Sequence, residues 1–229
     1  MGIKENLAAV PLFKGLTDQQ YDELAMVVVD QEFARGRTIF SEGDDGVGFY
    51  VIISGQVKIY KLSPEGKEQI LHVFGPGEPF AEAAVFAGSS YPAHALALKT
   101  SRVFFIPREA FRDLIKANPS LAMNMMASLS MRLKRFAHMI EDLSLKEVPG
   151  RLAAHLLYLD QEQGGDSDVV ELEIGKAHLA SLLGTIPETL SRILTRMNKQ
   201  GFIASEGKTV KLLDREGLED LADGERRLG

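Results

Sequence analysis

The chain has 229 residues with 45% apolar and 25% charged side chains, a composition that fits a globular protein and excludes a disordered or fibrous one. It contains no cysteine, which excludes disulfides, thiolate-bound zinc, cysteine-bound iron–sulfur clusters and a cysteine nucleophile. Neither a secretory leader nor an apolar stretch near the roughly 20 residues of a membrane span is visible. We therefore expect a cytoplasmic protein of one large or two small domains, without a membrane partner.

Charge is distributed unevenly along the chain. The net charge of −6 argues by itself against a nucleic-acid partner. Residues 176–211, however, contain six Lys or Arg and two Glu, a local charge of +4, whereas residues 160–173 contain six acidic residues and no Lys or Arg. An anionic partner would bind the basic segment, although a solvated surface of patchy charge would give the same counts.

The chain begins with helical periodicity and then changes to strand periodicity. Within the first 30 residues, which we predict to be helical, apolar side chains recur at helical spacing (Tyr21, Leu24, Ala25, Val28), and Thr17-Asp-Gln-Gln20 is typical of a capped start. Between residues 33 and 107, short β-branched or aromatic runs alternate with turns. The predicted strands are 38–40, 49–53, 57–60, 70–74, 95–98 and 103–106. Short strands at this spacing predict an antiparallel sandwich or barrel.

A long helix follows the strands. Its apolar residues step by four and three alternately, at Ala122, Met126, Leu129, Leu133, Phe136, Ile140 and Leu143. Three heptads of this kind predict a coiled-coil seam about 40 Å long, which would form the axis of a homodimer. The predicted dimer interface is Met126, Leu129, Leu133, Phe136, Ile140 and Leu143. An amphipathic helix that packs on its own barrel is the alternative.

The last third of the chain is predicted to be a separate domain. Val148-Pro-Gly150 is expected to break the long helix, with a new helix over 151–160 and a polar loop over 163–168. The predicted division is therefore a sensor domain over 1–116, a dimerisation helix and hinge over 117–147, and a DNA-binding domain over 148–229. The hinge itself is placed near residues 144–150.

Residues 180–213 have the pattern of a winged helix-turn-helix. One helix is predicted to end at Gly184 and the next to begin at Pro187, with Leu190, Ile193, Leu194 and Met197 on its buried face. The opposite face carries Glu188, Ser191, Arg192 and Thr195, which can all hydrogen-bond to base edges. Two strands then flank Ser205-Glu-Gly-Lys208, a hairpin wing in which Lys208 and Thr209 would contact phosphate. A plain helical hairpin with solvated charges is the alternative.

These motifs together resemble the CRP/FNR family of transcription regulators over nearly the whole chain. The resemblance includes the barrel signature Gly43-Asp44…Phe49-Tyr50-x-Ile52-x-x-Gly55-x-Val57, the long helix, and Glu188-Thr-Leu-Ser-Arg192. It implies an α+β fold with an N-terminal antiparallel β-roll of the cyclic-nucleotide-binding (jelly-roll) type, a long dimerisation helix and a C-terminal winged helix-turn-helix. It further implies a homodimeric, sequence-specific regulator that binds double-stranded DNA and contacts RNA polymerase.

The resemblance also implies which residues read DNA. Residues matching Glu188 and Arg192 read bases in this family, and Ser191 completes the FNR-type Glu-x-x-Ser-Arg pattern. A third base-reading Arg of the CRP branch falls on Pro187, which favours an FNR-like inverted repeat with half-sites of the TTGAT kind. The candidate DNA-binding residues are Thr185, Pro187, Glu188, Ser191, Arg192, Thr195, Lys208 and Thr209.

The resemblance leaves the effector of the barrel open. The Gly-Glu and Arg-Ser pairs of the cyclic-nucleotide branch fall on Ala81-Glu82 and Pro92-Ala93, and Pro92 can neither donate a hydrogen bond nor carry charge, which argues against cAMP. Residues 80–84 and 91–93 resemble instead the nitrosative-stress branch (DNR- and HcpR-like regulators), which implies a heme that reports nitric oxide. The expected pocket residues are Phe80, Glu82, Tyr91, Pro92, His94, Phe136 and Met139. The candidate heme ligands are His94, placed on the pocket side by strand register, and His138 on the long helix.

An enzyme and a signalling module are the alternatives to a DNA-binding regulator. An enzyme is disfavoured because the chain has no nucleophile elbow, no His-Glu-x-x-His and no phosphate-binding loop. A signalling module that binds an effector without reading DNA would share the barrel but lack the wing and the polar stripe.

Overall fold

The structure is a computed structural model that describes residues 2–87, 90–164 and 168–228, without the side chains of residues 84, 85 and 87. Residues 165–167 of the predicted polar loop lie outside the described part. The chain forms two compact units, Met1–Leu133 and Lys134–Gly229. The boundary between them falls inside the long helix, whereas the sequence placed domain boundaries at the two ends of that helix.

The N-terminal segment is helical, as predicted, up to residue 27. Helix α1 (Ile3–Ala9) and a 3-10 turn (Pro11–Phe13) precede helix α2 (Asp18–Val27). The predicted cap is present: the Thr17 hydroxyl accepts from the Gln20 amide at 3.3 Å, and the Gln20 side chain accepts from the Thr17 amide at 2.9 Å. These reciprocal bonds satisfy amides that the first turn of a helix leaves free.

Two four-stranded antiparallel sheets form the β-roll, in the orders β1-β8-β3-β6 and β2-β7-β4-β5. The strands are β1 (Val29–Phe33), β2 (Thr38–Phe40), β3 (Gly48–Ser54), β4 (Val57–Leu62), β5 (Glu68–Phe74), β6 (Pro79–Phe80), β7 (His94–Ala97) and β8 (Ser101–Pro107). Helix α3 (Glu82–Ala87) lies between β6 and β7, and helix α4 (Arg108–Ala117) follows β8. The predicted barrel is thus confirmed, with β1 and β6 as additional edge strands.

Aromatic rings fill the interior of the roll. Phe40 stacks on Tyr91 with ring centroids 4.0 Å apart, and Tyr50 stacks on Phe80 at 5.1 Å. A second apolar cluster lies between the roll and the helices of the same unit, where Phe49 meets Phe111 edge-on at 4.7 Å. These contacts fix β3, which belongs to both clusters through alternate residues.

The long helix α5 (Ser120–Leu145) has 26 residues and is about 39 Å long. The long helix ends at Leu145, close to the predicted break, but Val148-Pro-Gly150 are not the break itself, because they form the first turn of α6 (Val148–Glu162). Proline is tolerated there since its missing N–H has no helical partner. Gly150 is required because a Cβ at this position would lie 2.6 Å from the Leu221 carbonyl oxygen.

The C-terminal unit is a winged helix-turn-helix, as predicted. Helix α7 (Lys176–Leu182) and helix α8 (Pro187–Lys199) are followed by the wing strands β10 (Ile203–Glu206) and β11 (Thr209–Leu212) and by helix α9 (Arg215–Asp223). Strand β9 (Val169–Glu171) adds to the wing, giving the order β10-β11-β9. One apolar cluster, with Leu156, Leu179, Leu190 and Phe202 among its members, holds these elements together.

Candidate nucleic-acid interface

A tight turn sets the angle between α7 and α8. Gly184 has φ +68°, a left-handed conformation that glycine adopts at low cost. The Thr185 amide donates to the Ala180 carbonyl at 2.9 Å and so closes the end of α7. Ile186 then adopts an extended conformation (φ −108°, ψ 153°), and Pro187 starts α8 with a φ already suited to a helix.

Helix α8 has one buried and one exposed face. Leu190 and Met197 are fully buried and Leu194 is 4% exposed, so the helix is anchored along its whole length. The structure places all four residues of the predicted polar stripe on the exposed face: Glu188, Ser191, Arg192 and Thr195. The Arg192 guanidinium donates to the Thr189 hydroxyl at 3.2 Å, and the Thr195 hydroxyl donates to the Ser191 carbonyl at 2.9 Å.

The wing is attached to the end of α8 by Asn198, which sequence reasoning missed. Its side-chain amide donates to the Ser205 hydroxyl at 2.7 Å, and its carbonyl oxygen accepts from the Ser205 amide at 2.8 Å. The two strands of the wing are then joined by Gly207 and Lys208, because Glu206 pairs with Thr209. Lys208 and Thr209 are exposed at this tip. An Asn near the end of a helix gives no local signal for this role.

Cations surround the polar face. Arg192, Arg196 and Lys199 lie exposed on α8, and Lys208 and Lys211 lie exposed on the wing. None of these five side chains forms an ion pair with any residue that the structure describes. Exposed cations without an ion-pair partner attract a polyanion such as the phosphate backbone of duplex DNA.

Known proteins share this architecture over the full chain. Residues 30–118 match the cyclic nucleotide-binding domain, and residues 150–221 match the Crp-like helix-turn-helix domain. The chain is 33% identical over 217 residues to a CRP-like cAMP-activated global transcriptional regulator of Mycobacterium tuberculosis, covering 93% of this chain and 97% of the relative. The chain belongs to the CRP/FNR family of DNA-binding transcription regulators. It is therefore not an enzyme.

Two further proteins are similar to this chain over most of its length. The fumarate and nitrate reduction regulatory protein of Escherichia coli K12 is 31% identical over 217 residues, covering 93% of this chain and 86% of that protein. A CooA variant from Carboxydothermus hydrogenoformans has the same fold, with a TM-score of 0.79 at 21% identity, covering 97% of this chain and 96% of CooA. No helix among the described residues is long and apolar enough to cross a membrane.

The predicted pocket residues of this CRP/FNR-family regulator lie in different local environments. Phe80 is fully buried in the aromatic core, as is nearly all of Tyr91, whose hydroxyl donates to the Gly48 carbonyl at 2.9 Å. Pro92 is exposed, and its carbonyl accepts from the Lys61 ammonium at 3.0 Å. Phe136 and Met139 are partly buried on the part of α5 that belongs to the second unit.

The prediction that His94 faces the pocket is wrong. Ala95 and Ala97 of β7 are fully buried, so the alternation of the strand places His94 on the opposite face, stacked on Tyr60 at 5.1 Å. Its Nδ1 accepts a hydrogen bond from the Glu42 amide at 3.2 Å. The other candidate heme ligand, His138, is 65% exposed and lies 3.6 Å from Glu141.

A buried ion pair connects the roll to α5 within the first unit. The Arg132 guanidinium pairs with the Glu82 carboxylate, donates to the Pro79 carbonyl at 2.8 Å and lies over the Phe74 ring at 4.7 Å from its centroid. The Glu82 side chain is 4% exposed, and its Oε2 atom has no hydrogen-bond partner among the residues that the structure describes. Sequence reasoning identified Glu82 but missed Arg132, since the two residues lie 50 positions apart.

The predicted dimer seam is only partly covered in the single chain. Leu129 packs on the apolar cluster of the first unit. Met126, Leu133 and Ile140 are 51%, 71% and 66% exposed. Large apolar side chains repeated along one helix are unusual on a solvated surface and typical of an interface.

Proposed function

We propose that this regulator binds an FNR-like inverted repeat as a homodimer, reading bases through α8 and contacting phosphates through the wing. The observation that carries the proposal is the exposed face of α8, which carries Glu188, Ser191, Arg192 and Thr195, while the opposite face of the helix is buried or partly buried. A helix anchored in this way can enter a major groove without rearrangement.

The chemistry of the stripe supports particular base contacts. Arg192 carries parallel N–H groups that match O6 and N7 of guanine, and Glu188 can accept from N4 of cytosine. Pro187 offers neither charge nor donor, so the half-site is proposed to be of the TTGAT kind. Lys208 and Thr209 at the wing tip, with Thr185 in the turn, are assigned to the backbone, where they position α8 without reading sequence.

The exposed apolar residues of α5 support the homodimer. Pairing of two such helices would remove Met126, Leu133 and Ile140 from water and favour association by burial of apolar area. A two-fold axis along α5 would then give each copy one half-site, with centres about 34 Å apart. RNA polymerase is the further partner that this proposal includes, as the family resemblance implies.

Effector control is proposed to act through α5. A ligand can shift the regulator only if it binds two arrangements with different affinity, and the contact of Arg132 with Glu82 is a connection between the roll and α5 on which it could act. The proposal includes no cAMP, because the side chains of Pro92 and Ala93 provide neither a positive charge nor a hydrogen-bond donor for a cyclic phosphate. Heme and nitric oxide stay a prediction of the resemblance, and no step is assigned to them.

Fluorescence anisotropy with a TTGAT-type inverted repeat tests the proposal. Arg192→Ala should weaken binding by about 1–3 kcal/mol and relax the preference at one base pair of each half-site. The matched control is Arg112→Ala, which removes the same charge from a 57% exposed position on α4. Equal affinity of both variants and the unaltered chain, or no affinity for any duplex at low salt, would contradict the proposal.

A further inference from the structure

Isoleucine is an unusual residue type for position 186 of this fold. Ile186 is the N-cap of α8, and its side chain makes no capping hydrogen bond. Ser, Thr, Asn or Asp at an N-cap accept a hydrogen bond from the first turn and stabilise the helix, whereas isoleucine cannot. Helix stability therefore does not account for an isoleucine here.

Burial does not account for it either. Ile186 is 51% exposed, although the other aliphatic residues of α8 that face the core are fully or largely buried. The side chain lies at the end of the helix whose first residues enter the groove, two positions before Glu188. A large apolar group is thus displayed beside charged groups on the same DNA-facing end.

The geometry makes this group rigid. A residue before proline is confined to extended conformations, and Ile186 has φ −108° and ψ 153°. Its carbonyl also accepts from the Leu190 amide at 3.0 Å, which ties the backbone to the first turn of α8. Because isoleucine is β-branched, its χ1 angle is restricted as well. A surface fixed in this way loses little conformational entropy when it is covered.

We propose that Ile186 is a specificity-determining residue that contacts the 5-methyl group of a thymine in the major groove. This methyl is the one apolar feature that distinguishes base pairs there, and an aliphatic side chain is its natural complement. The inference rests on the proposed DNA-binding function. It adds an apolar contact to the hydrogen-bonding stripe of α8, at a position that could otherwise have carried a capping hydroxyl.

The test removes the thymine methyl group from the DNA as well as changing residue 186 of the protein. A duplex is first selected from a random pool by the unaltered full-length chain, and each thymine of its half-sites is then replaced singly by uracil, which lacks only the 5-methyl group. Loss of one buried methyl should raise Kd about fourfold at one thymine per half-site. In Ile186→Ser that sensitivity should disappear, while Ile186→Val should retain most of it.

The controls separate folding, function and this inference. Ile186→Ser supplies a capping hydroxyl, so its melting temperature should equal or exceed that of the unaltered chain, and Ile186→Ala reports the loss of the side chain without a new cap. If no duplex is selected, the proposed function fails. If duplexes are selected but uracil has no effect, or has the same effect in Ile186→Ser as in the unaltered chain, the role of Ile186 is overturned and the proposed function stands.

Discussion

The buried pair of Arg132 and Glu82 gives the sharpest prediction for stability. In Arg132→Ala the Glu82 carboxyl group, 4% exposed, would be left buried without its partner, and the Pro79 carbonyl would lose its donor. Removing one partner of a buried pair costs about 3–5 kcal/mol, because an uncompensated charge stays in a low-dielectric site. The Arg132 side chain is 15% exposed, so we expect the lower end, about 3 kcal/mol.

A double variant separates the cost of the unpaired Glu82 charge from the other effects of Arg132→Ala. In Glu82→Gln combined with Arg132→Ala no buried charge is left, so the double variant should be more stable than Arg132→Ala alone, by about 2 kcal/mol. The control is Arg102→Ala. It breaks the pair with Asp30, whose two side chains are 34% and 33% exposed, and should cost less than about 1 kcal/mol.

Tyrosine fluorescence can be used to follow the unfolding of the first unit. It has no tryptophan and five tyrosines, and four of them precede residue 134. With Tyr158→Phe as background, tyrosine fluorescence during urea unfolding reports this unit alone. A cost for Arg132→Ala no greater than that for Arg102→Ala would refute the reasoning, and so would a double variant no more stable than Arg132→Ala.

Three further predictions concern acid, the wing and cAMP. Burial lowers the pKa of His155 to about 4 from its ordinary 6.5, so the unfolded chain binds the proton first. Stability should fall as the pH drops from about 6.5 towards 4, by up to about 3 kcal/mol, and His155→Gln should lack that part of the loss when unfolding is followed by circular dichroism against pH. Asn198→Ala should free the wing at Ser205 and weaken binding to all duplexes alike by severalfold in anisotropy, so a change in base preference would contradict the positional role. Because the side chains of Pro92 and Ala93 offer neither charge nor donor to a cyclic phosphate, cAMP should leave the melting temperature unchanged, and a rise that saturates with cAMP would show a phosphate-binding group elsewhere.

Local sequence periodicity was sufficient to predict the helices and the turn of the DNA-binding domain. Apolar residues at helical spacing gave the buried face of α8, and the positions of Gly184 and Pro187 gave the turn before it. These signals depend on a few neighbouring residues. The same holds for the strands of the roll, except β1 and β6. Strand β1 has the polar sequence Val-Asp-Gln-Glu-Phe and pairs only with β8 at the sheet edge, and β6 has only two residues.

Errors arose where the answer depended on register or on distant contacts. Placing His94 in the pocket required the correct face of β7, and a shift of one residue moves a side chain to the other side of a sheet. The pair of Arg132 and Glu82 joins separate elements 50 residues apart, so no local pattern could reveal it. Pro149 was read as a break because the first turn of a helix, where proline is accepted, cannot be located without its surroundings.

Parallel selection from one random duplex pool tests the central claim that α8 reads bases. The account predicts that the unaltered chain enriches an inverted repeat with half-site centres about one helical turn apart. It predicts that Arg192→Ala enriches the same repeat with the preference lost at one base pair of each half-site. The same enriched sequence for both proteins, or no enrichment by the unaltered chain, would contradict it.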